Sequence, residues 1–248
     1  MILPFDLTPL GAGWLVFALL GAAYVRGYSG FGFAALVVSS ASLVTNPLLV
    51  VPVVLLSDLA MSGMQARDVW RKIDWHRTGG LFAGALVGVP LGIWALSSIG
   101  EDAARMVISL YVLAMCGLLG LGWSFRRPVG HGGHAAVGVV SGMANAAAVG
   151  GLPVAVFFAA QPLPAVVFRA TLIAYFTLLD IWSIPLMARA GMISRDTLVA
   201  FAVAMPVTCL GVWLGGLHFT RAEPQSFRRF AIALLVVLAV MGLIKSVL

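Results

Sequence analysis

Gly27-Tyr-Ser-Gly-Phe-Gly32 runs into the apolar stretch Phe33–Val44 and then Asn46-Pro47. The same order returns as Asn145-Ala-Ala-Ala-Val-Gly-Gly151, the stretch Leu152–Ala160 and Pro162-Leu-Pro164. At a rise of about 1.5 Å per residue, neither stretch crosses a hydrocarbon core roughly 30 Å thick. Both follow glycine clusters, where a helix breaks most easily. Broken backbone cannot face lipid with its N–H and C=O groups unpaired, so such breaks are buried in protein or line a water-filled cavity. Paired interrupted segments in matching positions mark the binding site of a transporter.

The rest of the chain agrees with a membrane setting. Of 248 residues, 61% are hydrophobic and 10% charged, whereas a soluble domain carries roughly a quarter charged residues. Too little polar surface would remain to cover a water-soluble ball. Apolar segments fall at Leu10–Val25, Phe33–Val44, Pro47–Ala66, Gly80–Ile99 and Met106–Trp123, then at Ala135–Val149, Leu152–Ala160, Pro164–Met187, Thr197–Leu217 and Phe230–Val247. The predicted fold is an all-α integral membrane protein of about eight to ten hydrophobic segments. The N-terminus lacks the basic region of a signal peptide, so the first apolar run is expected to be a retained helix. Cys116 and Cys209 lie inside apolar runs and suggest no disulfide framework.

The halves repeat beyond the glycine clusters, since Gly88-Val-Pro-Leu-Gly92 is answered by Gly211-Val-Trp-Leu-Gly215. This predicts an N-terminal transmembrane repeat over 1–128 and a C-terminal one over 129–248 within one membrane domain. Glycines at the spacing of Gly88 and Gly92, or of Gly211 and Gly215, are expected to let helices pack closely. If the short segments are re-entrant hairpins, each half crosses three further times and the repeats are inverted; four crossings per half would make them parallel. Short segments favour hairpins, and hence inversion. The net charge of +6 collects in short loops, as the positive-inside bias requires, and does not imply nucleic acid. Both arrangements put Arg67–Arg77 and Arg126–Arg127 in the cytoplasm.

Four charges remain inside apolar segments: Arg26, Arg169, Asp58 and Asp180. A charge at the centre of a membrane helix costs at least ~2.5–3.5 kcal/mol, so such residues are paired or functional by default. Cationic side chains beside broken-helix N–H groups make an anion site. Ser29, Gly30 and Gly32 would supply one helix terminus, and Asn145, Gly150 and Gly151 the other. Asp180 lies eleven residues after Arg169, on the same helix face but three turns away. Asp58 and Asp180 are candidates for carrying a coupling proton, or else a structural polar link between helices.

Other classes compete. Gly27-Tyr28-Ser29-Gly30 matches the Gly-x-Ser-Gly of rhomboid-type intramembrane serine proteases. A serine nucleophile needs a positioned base, and His76, His131, His134 and His218 all read as loop or helix-end residues. His131-Gly-Gly-His134 in a flexible glycine loop is a weak metal signal, so no metal or other cofactor is expected. A non-transporting membrane scaffold is the third reading. No nucleotide-binding motif is present, which argues against ATP-driven transport by this chain alone.

Nearly the whole chain resembles the sulfite exporter TauE/SafE family of bacterial membrane transporters. The resemblance rests on Gly27-Tyr-Ser-Gly-Phe-Gly32 and Val149-Gly-Gly-Leu-Pro153, on Arg169-Ala-Thr171, and on Ile73-Asp74-Trp75, which matches the family's Val-Asp-Trp loop. The family's triple glycine is Gly-Phe-Ala in the first half here, and the second half keeps two glycines. The resemblance implies an inner-membrane, multi-pass transporter or exporter of sulfite, thiosulfate or a C2 sulfonate such as sulfoacetate, isethionate or taurine. Thr171 joins the candidate substrate-binding residues on this ground. The expected partners are a small anionic substrate, the lipid bilayer and a second copy in a homodimer.

Overall fold

Several of the long helices start where the sequence supplies a side-chain cap. In the computed structural model, which describes residues 4–121 and 129–219 together with Val236, Val240 and Ile244, Thr8 caps α1 (Pro9–Ser29) by accepting from Gly11 N at 3.1 Å. Asn46 caps α3 (Pro47–Val69) by accepting from Leu48 N at 2.9 Å. Asp74 caps α4 (Trp75–Ser97) by accepting from Arg77 N at 3.1 Å. Each cap satisfies one of the N–H groups left open at a helix start, and proline at the first position of α1 and α3 has no N–H to lose. Between them lies the short α2 (Phe33–Ala41). After α4 come α5 (Glu101–Gly120), α6 (His131–Asn145), α7 (Gly151–Ala159), α8 (Ala165–Arg189) and α9 (Arg195–Phe219).

No strand occurs among the described residues, and six helices are long and apolar enough to cross a membrane: α1, α3, α4, α5, α8 and α9. All of the tenth predicted segment, Phe230–Val247, except Val236, Val240 and Ile244, and the loop residues Arg126 and Arg127 lie outside the described residues. The surface carries large apolar side chains, while the apolar interior also encloses charged and polar ones. Leu10, Phe17, Trp94 and Val203 are exposed, whereas Arg26, Asp58, Asp180 and Ser183 are buried. Lipid is the solvent for the first set, and protein partners satisfy the second.

Both short helices turn back along the helix before them. Trp14 Nε1 at the start of α1 donates to Ser40 O at the end of α2, at 3.1 Å. The ring of His134 at the start of α6 packs on Phe157 near the end of α7, centroids 5.0 Å apart. The reversal after α1 is made by Gly30 (φ 82) and Gly32 (φ 93), conformations that residues with a Cβ seldom adopt. The reversal after α6 puts a non-glycine residue, Ala148, at φ 56.

Glycines fix which helices touch. A Cβ on Gly84, Gly88 or Gly92 of α4 would overlap the carbonyl oxygens of Ala135, Val139 or Met143 of α6. A Cβ on Gly215 of α9 would overlap Tyr24 O of α1, and one on Gly27 would overlap Val212 O. The packing role expected for Gly88, Gly92, Gly211 and Gly215 is therefore what the structure has. Rising numbers on one partner meet rising numbers on the other between α4 and α6, and likewise Gly211 of α9 meets Leu20 of α1 and Gly215 meets Tyr24, so both pairs run parallel. In contrast α3 and α8 run antiparallel: Val69 packs on Ala170 and Ile173, while Asp58 near the middle of α3 meets Asp180.

Two local expectations change. His131-Gly-Gly-His134 is the first turn of α6, not a flexible loop, because close packing on Gly80 of α4 orders it. Arg105, which precedes the predicted segment Met106–Trp123 and is not among the four charges read as inside apolar segments, is buried in α5, where it bonds Glu101 at 2.7 Å and Asp102 at 3.2 Å.

Candidate substrate and proton site

The helix breaks and three of the four charges read inside apolar segments, Arg26, Asp58 and Asp180, converge on one cavity. It has a volume of about 30 Å³ and lies between Gly32, Phe33 and Ala34 at the start of α2, Gly151 and Leu152 at the start of α7, and the side chains of Arg26, Asp58, Asn145 and Asp180. The first N–H groups of a helix have no intrahelical acceptor and carry partial positive charge. Two such starts face this cavity, one from each half of the chain. A cavity of this size holds roughly two waters, so binding a sulfur oxoanion requires the walls to part.

Arg26 sits in the last turn of α1 and is 1% exposed. Its Nε lies 2.7 Å from Asp58 Oδ1, Nη2 donates to Ser62 Oγ at 2.8 Å, and Nη1 donates to Gly30 O. The guanidinium also faces the ring of Phe176, 5.4 Å from its centroid, which adds cation–π attraction. The second half repeats the pattern with one change. Asn145, the last residue of α6, donates to Ser183 Oγ at 3.0 Å and reaches Asp180. Arg26, Asp58 and Ser62 are thus answered by Asn145, Asp180 and Ser183. Asp58 and Asp180 lie within hydrogen-bonding reach of each other. Of the two carboxyl groups, only Asp58 has a cation bonded directly to it.

Of the residues read as a site from sequence, Arg26, Gly32, Asn145, Gly151, Asp58 and Asp180 line the cavity. The others stand behind it or elsewhere. Ser29 Oγ donates to Val25 O at 2.8 Å and to Phe31 O at 2.9 Å, tying the helix break to itself. Gly30 O accepts from Arg26, and Gly150 O accepts from Ser141 at 2.6 Å. Arg169 Nη2 donates to Gly27 O at 2.7 Å and faces a different cavity. Thr171 Oγ1 accepts from Asp74 N at 3.1 Å, which is a structural task. Ser62, Ser183 and Phe176 were missed. The two serines lie one turn beyond Asp58 and Asp180, a spacing that puts them on the same helix face.

The protease geometry is absent. His134 is buried, contrary to the sequence expectation that no helix carries a buried histidine. Its Nδ1 bonds Gly130 O at 3.0 Å and its ring packs on Phe157 and Phe158, while Ser29 bonds only backbone. Among the described residues no group of three or more His, Cys, Asp or Glu side chains could hold a metal ion.

A profile of the family described as "Sulfite exporter TauE/SafE" matches residues 15–242. The chain belongs to that family. A "Probable sulfite/organosulfonate exporter TauE" of Cupriavidus necator is 28% identical over 88% of this chain and 89% of its own. A "Probable inner membrane transporter protein TsaS" of Comamonas testosteroni is 24% identical over 74% of this chain and 78% of its own. No solved structure gives a significant match. The TauE/SafE family and both relatives are transporters, not enzymes, and this chain is a multi-pass membrane transporter. Two of its TauE/SafE resemblances, Ile73-Asp74-Trp75 and Arg169-Ala-Thr171, are bonded to each other through Asp74 N and Thr171 Oγ1.

Proposed function

We propose that the protein moves a small sulfur-containing anion, sulfite or a short organosulfonate, together with a proton. The observation that carries this is the convergence of Arg26, two helix N-termini and the Asp58–Asp180 pair on one cavity. The chain is a multi-pass protein of the bacterial inner membrane, and the name of the Cupriavidus relative, a sulfite/organosulfonate exporter, supports the substrate class. Thiosulfate and the individual sulfonates remain to be ranked by binding.

Charge counting supplies the coupling. Two carboxyl groups bond to each other only when one of them donates an O–H. Arg26 with such a pair is neutral overall. Bringing a monoanion to Arg26 and the helix N-termini adds one negative charge in a membrane interior, where net charge is expensive. Uptake of one proton by the aspartate that releases Arg26 restores neutrality. One monoanion then moves with one proton, without net charge transfer. Asp180, which lines the same cavity but lacks the direct arginine contact that Asp58 has, is the group to hold the resident proton.

We also infer that residues 1–128 and 129–248 are inverted repeats. The antiparallel run of α3 and α8, the parallel pairs α1–α9 and α4–α6, and the two hairpins support this reading. The test of transport is flux of radiolabelled sulfite and isethionate in proteoliposomes, with and without an imposed pH gradient. Proton and anion fluxes are expected in a ratio of one. Anion flux indifferent to the gradient overturns the coupling.

A further inference from the structure

Between the ends of α3 and α9 and the start of α8, on the side that the basic Arg67–Arg77 stretch assigns to the cytoplasm, lies a second cavity of about 560 Å³, which shares no lining residue with the central one. Its polar walls are Gln65, Asp68, Lys72 and Arg169, and Trp213 lines its apolar side. Lys72 and Arg169 against Asp68 leave an excess of one positive charge. Gln65 is 7% exposed, and neither its Nε2 nor its Oε1 has a hydrogen-bond partner among the described residues. A buried amide in that condition bears a desolvation cost unless something entering the cavity bonds it.

Arg169 forms the inner wall. Its Nη2 holds Gly27 O at 2.7 Å, and its backbone and Cγ pack directly on Gly30. Gly27 and Gly30 begin the same break whose further residues, Gly32 and Phe33, line the central cavity. One arginine and one turn of broken backbone therefore separate the two spaces. An oxoanion in the larger cavity offers Arg169 a charged acceptor in place of a neutral carbonyl, and charged hydrogen bonds are the stronger.

We propose that this cavity is a second anion site, which takes the oxoanion head group of the substrate from the cytoplasm before it reaches the central cavity, with Arg169 as the gate between them. The proposal rests on the transport reading above and adds a sided entry point to it. The same head-group chemistry belongs to an anionic phospholipid, and the test separates the two.

Uptake of radiolabelled sulfite, with isethionate as a second probe, is measured in inside-out and right-side-out membrane vesicles. Gln65→Glu places a negative charge in the cavity at nearly constant shape and is expected to raise KM from the cytoplasmic face about tenfold. Gln65→Met is expected to raise it less, and KM from the periplasmic face stays unchanged in both variants. Wild-type flux with no cytoplasmic rise in KM, or with equal rises from both faces, overturns the second site alone. No wild-type flux of either probe overturns the transport reading and the second site with it. In proteoliposomes of phosphatidylcholine with or without phosphatidylglycerol, an unchanged cytoplasmic KM identifies the free anion as occupant. A KM raised by phosphatidylglycerol means that a lipid head group fills the cavity, and overturns the proposal.

Discussion

Arg26 Nε lies 2.7 Å from Asp58 Oδ1, an ion pair that joins the broken end of α1 to the middle of α3. Removing one partner of a buried pair typically costs ~3–5 kcal/mol, because the other charge is left uncompensated, whereas removing both is far milder. Arg26→Ala is therefore expected to lower the melting temperature in detergent and to abolish flux. Arg26→Met combined with Asp58→Leu is expected to regain most of the stability without regaining flux. Size-exclusion melting curves and proteoliposome flux are the measurements; wild-type melting in Arg26→Ala would contradict the pairing.

Asp58 and a bound anion compete for the same guanidinium, whereas Asp180 does not bond it directly. Asp58→Asn is thus expected to tighten anion binding, by about tenfold for a charged hydrogen bond released to the ligand. Asp58→Asn also removes the group that takes up the moving proton and is expected to lose the response of net flux to a pH gradient, whereas Asp180→Asn, which mimics the resident protonated state, is expected to keep both binding and that response. Thermal-shift titrations with sulfite, thiosulfate, sulfoacetate, isethionate and taurine measure the first effect. Flux with and without the gradient measures the second, and equal behaviour of the two variants would dissolve the division of roles.

The close helix pairs give a stability contrast. Gly88→Ala drives a Cβ into Val139 O of α6 and is expected to cost ~1–3 kcal/mol, the usual penalty of overpacking. Gly63→Ala in α3 meets nothing within 4 Å and is expected to be neutral or mildly stabilising. Melting temperatures of the two variants, compared in one detergent, check this. A Gly88→Ala protein as stable as wild type would mean that the α4–α6 spacing is looser than described.

Inversion makes a prediction about sides. In a variant lacking Cys116 and Cys209, a cysteine at position 195 is expected to react with an impermeant maleimide from the periplasm. A cysteine at position 76, beside the basic Arg67–Arg77 stretch, is expected to react only after the membrane is permeabilised. Protection of position 195 would favour parallel repeats.

The segments were legible because apolar runs, glycine clusters and prolines are local signals. Phe33–Val44 and Leu152–Ala160 were found as short pieces, and they form α2 and α7. Arg26, Asp58 and Asp180 were legible as charges in apolar surroundings. Their meeting was not, since it depends on the antiparallel crossing of α3 and α8, which no spacing within one helix encodes. Arg169 illustrates the limit. It shares a helix face with Asp180, yet eleven residues of rise, roughly 16 Å, carry it into another cavity. His134 failed differently, because Gly132 and Gly133 read as loop until α4 supplies a surface that orders them.

The crossed pairing of helices also sets a timetable for biogenesis. Gly27 of α1 finds its close partner only at Val212 and Gly215 of α9, about three quarters of the chain later. During synthesis, α1 must wait in the bilayer with that surface unmatched while α3 to α8 emerge. Arg26 is relieved earlier, once Asp58 and Ser62 arrive. The order of insertion therefore quenches the buried charge first and closes the helix seam last. A ribosome stalled after α8 would display a nascent chain with its ion pair made and its first helix still unclasped.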